Sequence, residues 1–128
     1  MRLPTTKSSV RPEAAPPLEN VSPLTRSQPQ VAFNRLELDR ILSLYGRMVA
    51  AGHWRDYAID LGPKTASFSA FRRTAENPEI RIIKDPALRL KQGEWVLYGE
   101  GGVVLKRGHD LAGVLAPIER RLVKLVEA

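Results

Sequence analysis

The chain has 128 residues, 43% of them apolar, with no cysteine and a formal net charge of +6. The lack of cysteine excludes disulfides and thiolate metal sites, so the fold depends on an apolar core. No segment approaches the ~20 apolar residues of a membrane span and the polar start lacks a secretory signal, so we expect a cytoplasmic protein without membrane contact.

Residues 1–30 are predicted to form a disordered, proline-rich tail. Six of the ten prolines lie here, no aromatic residue does, and the scattered apolar residues are too few to offset the entropy of ordering. The tail is either a solubilising leader or a short docking peptide around Leu18–Leu24. Residues 31–128 are expected to form a single domain.

The first helix is predicted to begin after Asn34. Asparagine is a favoured N-cap, and Glu37 completes a capping-box pattern, with Phe33 and Leu38 placed to form a hydrophobic staple. Gly52 is the expected C-terminal stop. Apolar residues at steps of three and four indicate one helical stripe, made of Leu38, Ile41, Leu42, Tyr45, Met48 and Val49.

Three extended segments follow, separated by turn residues: Arg55–Leu61, Thr65–Arg73 and Glu79–Lys84. Strict alternation predicts which side chains share a face. In the first segment Tyr57, Ile59 and Leu61 face one way. In the second, Phe68 and Ala70 lie on one side and Ser67, Ser69 and Phe71 on the other.

The next segment is predicted to be a hairpin that turns at Gln92-Gly93. Its register pairs Leu88 with Leu97, Arg89 with Val96, Leu90 with Trp95 and Lys91 with Glu94, which gathers the leucines and the tryptophan on one face. A glycine-rich loop, Gly99–Gly102, then leads to a last strand, Val103–Arg107. That loop places Tyr98 opposite Val103 and Val96 opposite Leu105.

A second helix is predicted after Asp110, a good N-cap. Pro117 lies inside its apolar stripe, so the helix either kinks or starts afresh there. The stripe consists of Leu111, Val114, Leu115, Ile118, Leu122, Leu125 and Val126. The order predicts an α+β fold: an N-terminal helix, an antiparallel meander of five to six strands and a C-terminal helix, with both helices on one sheet face.

No set of residues indicates catalysis, and we expect no enzyme, no cofactor and no metal site. The two histidines, His53 and His109, have no ligand spacing around them. A triad of Ser67 or Ser69 with His53 and Asp56 can be drawn, but no nucleophile motif surrounds either serine. An acid–base role for Asp56 and Asp60 rests on spacing alone.

Residues 33 to the C-terminus resemble an uncharacterised alphaproteobacterial family, domain of unknown function 2794. The resemblance rests on Phe33–Leu38, Trp54–Asp60, Ala70–Arg73 and Trp95–Tyr98. It implies a bacterial cytoplasmic protein, and it assigns no activity, cofactor or site residue. The tail lies outside the match.

Two functions are consistent with these features. The first is a non-catalytic binding or regulatory module that contacts a partner protein or a second copy through a partly apolar sheet face, with Val96, Tyr98, Val103 and Leu105 as contact residues. The alternative follows from the positive charge. It is nucleic-acid binding by a basic sheet face that carries Arg89, Lys91, Tyr98 and Arg107.

Overall fold

The computed structural model describes residues 30–73 and 77–127. Two helices enclose five strands in chain order, which confirms the predicted α+β class. The expected disordered tail lies, apart from Gln30, outside the described residues. The elements are α1 (Arg35–Ala50), β1 (Asp56–Leu61), β2 (Ala66–Phe71), β3 (Ile80–Lys84), β4 (Trp95–Tyr98), β5 (Val104–Gly108) and α2 (Leu111–Glu127).

The five strands form one antiparallel meander in the order β1-β2-β3-β4-β5. Directly opposed residues share a face of a sheet, so the register defines two rows of alternating side chains. Phe68, Ile82 and Leu97 form a row on one face, and Ser69, Arg81 and Tyr98 form a row on the other.

Helix α1 begins as the sequence predicts. The Asn34 side chain accepts a hydrogen bond from the Glu37 amide at 2.8 Å, and the Glu37 carboxylate accepts one from the Asn34 amide at 2.8 Å. This reciprocal capping box satisfies two amides that a helix start leaves without partners. Gly52 follows the helix with φ of +78°, a conformation that favours glycine.

Both helices pack on one face of the sheet, as predicted, and the core lies between them and the strands. Leu44 joins this core although it was left out of the predicted stripe, while Val49 and Val126 from the predicted stripes are exposed. Asp110 caps α2 through the Gly113 amide at 3.1 Å, and α2 runs through Pro117 without restarting. The buried core consists of Ile41, Leu44, Met48, Trp54, Phe68, Ala70, Ile80, Ile82, Trp95, Leu97, Leu111, Val114, Leu115, Ile118 and Leu122.

The predicted hairpin around Gln92-Gly93 is wrong. Residues 86–88 form a 3₁₀ turn that is capped by the Asp85 carboxylate, which accepts from the Ala87 amide at 3.2 Å. Pro86 fixes its own φ and favours such a turn start. Leu90 is 93% exposed rather than packed on Trp95. Strand β4 instead pairs with β3, with Lys84 opposite Trp95 and Ile83 opposite Val96.

The predicted register of the last two strands is also wrong. Tyr98 lies opposite Val104 and Val96 opposite Arg107, with an irregularity between Leu97 and Tyr98 that shifts the pairing. A β-bulge is the usual cause of such a shift, and it cannot be read from alternation alone. Near the other end of β5, Gly93 (φ +102°) approaches the backbone of Gly108 so closely that a β-carbon would lie 2.3 Å from its carbonyl carbon.

Candidate interaction surface on the outer sheet face

The sheet face opposite the helices, here called the outer face, carries a mixed polar and apolar surface. Arg81 lies at its centre, exposed, and Tyr98 is its direct cross-strand neighbour on β4. One row further along, Ile83 lies opposite Val96, which lies opposite Arg107. The outer face therefore places two basic side chains beside one half-buried tyrosine.

A groove of about 350 Å³ opens on the outer face beside this row. A guanidinium, a phenol ring and the amides of a glycine loop can all reach into it, so it offers donors and an apolar wall. Its lining residues are Asn77, Pro78, Arg81, Ile83, Tyr98, Gly99, Gly101 and Gly102. Gly101 and Gly102 have φ of +72° and +81°, a conformation that favours glycine, so the backbone is exposed on this side of the groove.

The rim of the sheet next to the groove is apolar. Val103, Val104 and Leu105 are 61%, 49% and 43% exposed; Val103 directly precedes the edge strand β5, and the other two are its first residues. We call these three residues the β5 patch. Single exposed apolar side chains are ordinary, whereas a run of three on a sheet edge is typical of a contact surface.

The predicted partner-binding residues differ in how far they are exposed. Val103 and Leu105 lie in the β5 patch, and Tyr98 lines the groove beside it. Val96 is only 4% exposed and packs within the chain, between Ile83 and Arg107. Val104, which the sequence analysis did not select, takes the place expected for Val103 opposite Tyr98.

The predicted nucleic-acid-binding residues are divided. Arg107 and Tyr98 belong to the outer face. Arg89 and Lys91 do not, because they lie in the loop before β4, where the Arg89 guanidinium pairs with the Glu94 carboxylate at 3.4 Å. Arg81 is the basic residue that the sequence analysis missed; its alternation with Ile80 and Ile82 was the signal that could have placed it there.

His53 belongs to a cluster around a buried carboxylate, here called the Glu79 cluster. Glu79, whose side chain is 8% exposed, accepts hydrogen bonds from Trp54 Nε1 at 2.6 Å and from the Arg121 guanidinium. His53 Nε2 lies 3.1 Å from Glu79 Oε2, and Arg72 Nε lies 3.7 Å from the same oxygen.

Because His53 Nε2 also lies 3.1 Å from the Arg121 guanidinium, it donates to Glu79 in one tautomer and accepts from Arg121 in the other. The imidazole contacts Glu79 and Arg121 and is hydrogen-bonded to none of Asp56, Ser67 and Ser69, so the triad drawn from the sequence is not assembled. The cluster joins the end of α1, the start of β3 and α2, and its donors compensate a buried charge.

Within residues 30–73 and 77–127, no three His, Asp or Glu side chains come together in a group that could hold a metal ion. None of the helices in the described part of the chain is long and apolar enough to cross a membrane.

Comparison with known proteins gives one match. A family model described as a protein of unknown function, DUF2794, matches residues 31–115. No curated protein and no solved structure matches the chain. The matched range covers α1, the whole sheet and the first turn of α2, and thus both the outer face and the β5 patch.

Proposed function

The chain belongs to the DUF2794 family of proteins of unknown function, and from this premise we propose that it is a small binding or regulatory module that acts through protein–protein contacts. The proposal assigns no chemical reaction and no cofactor to the chain. We further propose that the protein acts in the cytoplasm, as its composition predicts.

The observation that carries the proposal is the β5 patch. Three consecutive apolar side chains stay exposed at a sheet edge although the opposite face of the same sheet is well packed. An apolar surface bordered by polar groups favours contact with another protein. The adjoining groove supplies a tyrosine and an arginine, which are residue types enriched at the centres of protein interfaces.

A photo-cross-linking amino acid placed at Val103 in living cells tests this proposal. We expect a discrete cross-linked product at this position. The matched control is the same amino acid at Leu90, which is even more exposed but stands alone in a loop.

The cross-linked protein, once purified, should bind the intact chain. Val103→Asp together with Leu105→Asp should weaken that binding by about a hundredfold, since each buried apolar contact contributes on the order of 1–2 kcal/mol. Leu90→Asp should leave it unchanged. Equal cross-linking at both positions, or equal affinity of both variants, would contradict the proposal.

Nucleic-acid binding is the second candidate, and a specific pair of residues favours it. Arg81 and Tyr98 are directly opposed on the outer face, with Arg107 one row away. A basic sheet with an accessible aromatic ring can stack a base and neutralise phosphates. Asp56 and Asp60 lie at the β1 end of the same face, and their negative charge would repel the phosphates of a nucleic acid.

A polarisation titration against labelled single-stranded RNA and DNA at about 50 and 200 mM salt tests the second candidate. If it is correct, Arg81→Gln with Arg107→Gln strongly weakens binding and reduces the salt dependence of the binding that remains. The matched pair Arg89→Gln with Lys91→Gln removes the same charge away from the outer face and should have a much smaller effect. Equal losses would indicate charge attraction without a site.

A further inference from the structure

The two edges of the sheet differ in how well they could accept another strand. The β5 edge is broken by the irregularity opposite Leu97 and Tyr98. The β1 edge is regular: all six residues pair with β2 in unbroken register, and all six are exposed. Since a bulge disrupts the row of edge groups on which a new strand would pair, β1 is the better template.

The backbone of β1 has groups that point away from the sheet. The Tyr57 amide donates to the Asp56 carboxylate at 2.8 Å instead of to β2. Because amide and carbonyl groups of an antiparallel strand change side at every residue, those of Ile59 and Leu61 point outward as well. Asp56 thus caps the first edge amide. Within residues 30–73 and 77–127 no group bonds to the outward amides of Ile59 and Leu61, and the nearest backbone contact is from the Val31 amide to the Gly62 carbonyl, one residue beyond β1.

The side chains of β1 sort into an apolar and an acidic side. Tyr57, Ile59 and Leu61 lie on the helix side and are 36–42% exposed. Asp56 and Asp60 lie on the outer face, opposite Phe71 and Ser67 of β2, and the described ion pairs do not include Asp60. An added strand would need apolar residues on one face and a complement to two carboxylates on the other.

A second copy of the chain does not provide that complement. Antiparallel pairing of β1 with another β1 brings four aspartates onto one face, directly opposite or diagonal to one another at about 7–8 Å or less. The β1 and β2 residues on that face include no basic side chain to offset the repulsion. A different segment with basic residues at alternate positions avoids this cost.

We propose that the β1 edge binds an extended segment of a partner protein by strand addition. The segment carries apolar side chains that pack beside Tyr57, Ile59 and Leu61, alternating with lysine or arginine side chains that face Asp56 and Asp60. Backbone hydrogen bonds to Ile59 and Leu61 provide the pairing, and the acidic side selects the sequence. This surface lies at the sheet edge opposite the β5 patch and does not depend on the function proposed for it.

Amide hydrogen exchange on the full chain tests this proposal. The probe is a blocked hexapeptide of alternating lysine and valine, compared with the same peptide bearing glutamate in place of lysine. At a concentration about ten times its Kd, the lysine peptide should slow exchange at Ile59 and Leu61 by about tenfold. The glutamate peptide should not slow exchange at these two amides.

A charge-reversed variant provides the specificity control. Asp60→Lys should reduce protection by the lysine peptide and increase protection by the glutamate peptide. Asp39→Lys, an equally large change at an exposed position on α1, should leave both results unchanged. Equal effects of the two variants would contradict the proposal, and so would an absence of protection at Ile59 and Leu61.

Two outcomes of hydrogen exchange measured on the chain without peptide would also contradict the proposal. Protection of these amides that rises with protein concentration would show that a second copy occupies the edge. Protection that is independent of concentration would show that a segment of the chain itself covers β1.

Discussion

Trp54 Nε1 donates a hydrogen bond of 2.6 Å to Glu79 Oε1, and this pair lies at the centre of the Glu79 cluster. The indole belongs to the segment after α1, and the carboxylate precedes β3. A buried indole and a buried carboxylate each need a polar partner, and each supplies it to the other. Arg121, which lies on α2, donates a hydrogen bond to the same oxygen, so the cluster connects three parts of the fold.

We expect Glu79→Ala to lower the free energy of unfolding by about 2–4 kcal/mol. The substitution leaves Trp54 and Arg121 without their acceptor, and the loss is moderated because Arg121 remains partly in water. Urea denaturation measures the loss. The matched control is Glu119→Ala, which removes the pair with Arg47 at 3.2 Å, where both side chains are about a third exposed or more; it should cost about 1 kcal/mol at most. Equal losses would contradict the interpretation.

Gly93 should tolerate no side chain. A β-carbon there would lie 2.3 Å from the carbonyl carbon and oxygen of Gly108, and backbone atoms cannot rotate away. We expect Gly93→Ala to cost about 3 kcal/mol or more. Gly52 also has positive φ but open space around it, so Gly52→Ala should cost about 1–2 kcal/mol, measured by thermal or urea denaturation. A smaller effect at Gly93 than at Gly52 would be inconsistent with this packing.

Lys84 links the end of β3 to the start of α1. Its ammonium donates to Glu37 Oε1 at 2.7 Å and to the Ala32 carbonyl at 3.0 Å, and the side chain is 11% exposed. Lys84→Met should keep the packing of the stem and lose both bonds, at a cost of about 1–3 kcal/mol by chemical denaturation. Lys91→Met, in the exposed loop, should change stability by less than about 0.5 kcal/mol. An unchanged free energy of unfolding for Lys84→Met would show that the ion pair does not stabilise the fold and would contradict this prediction.

Alkaline pH should destabilise the fold in part through Tyr45. Burial raises the pKa of Tyr45 above its usual value of 10.0, and the neighbouring charge of Asp56 raises it further. Above pH 10 the unfolded chain therefore loses this proton before the folded chain does, so stability falls as pH rises. Tyr45→Phe should lose less stability than the wild type between about pH 9 and pH 11. Parallel stability curves for the two proteins would contradict this prediction.

Local patterns predicted most of the elements. The capping box at Asn34 and Glu37 and the alternation of β2 each depend on residues close in sequence, and both are confirmed. The hairpin at Gln92-Gly93 failed for a physical reason. Four alternating residues, Leu88–Lys91, are too few to distinguish a strand from a turn, and the Asp85 cap with Pro86 starts a 3₁₀ turn just before them.

The candidate surface could be predicted only in part. Alternation along the predicted strands was enough to place Tyr98, Val103 and Leu105 away from the core, and the structure leaves Val103 and Leu105 exposed and Tyr98 half-buried. The burial of Val96 was not foreseen and Arg81 was missed, since both depend on which strands are neighbours in the sheet. The Glu79 cluster has no local signal, because His53 and Arg121 meet across 68 positions.

The 68 positions between His53 and Arg121 affect how the chain folds. In the meander each strand pairs with the next one in sequence, and the longest connection between strands is residues 85–94. Short connections close at small entropic cost, whereas closing a flexible loop from His53 to Arg121 costs more, in proportion to the logarithm of its length. Once the sheet has formed, most of the residues between His53 and Arg121 have fixed positions relative to one another. Arg121 then needs to search only the few positions that α2, tethered to β5, can reach.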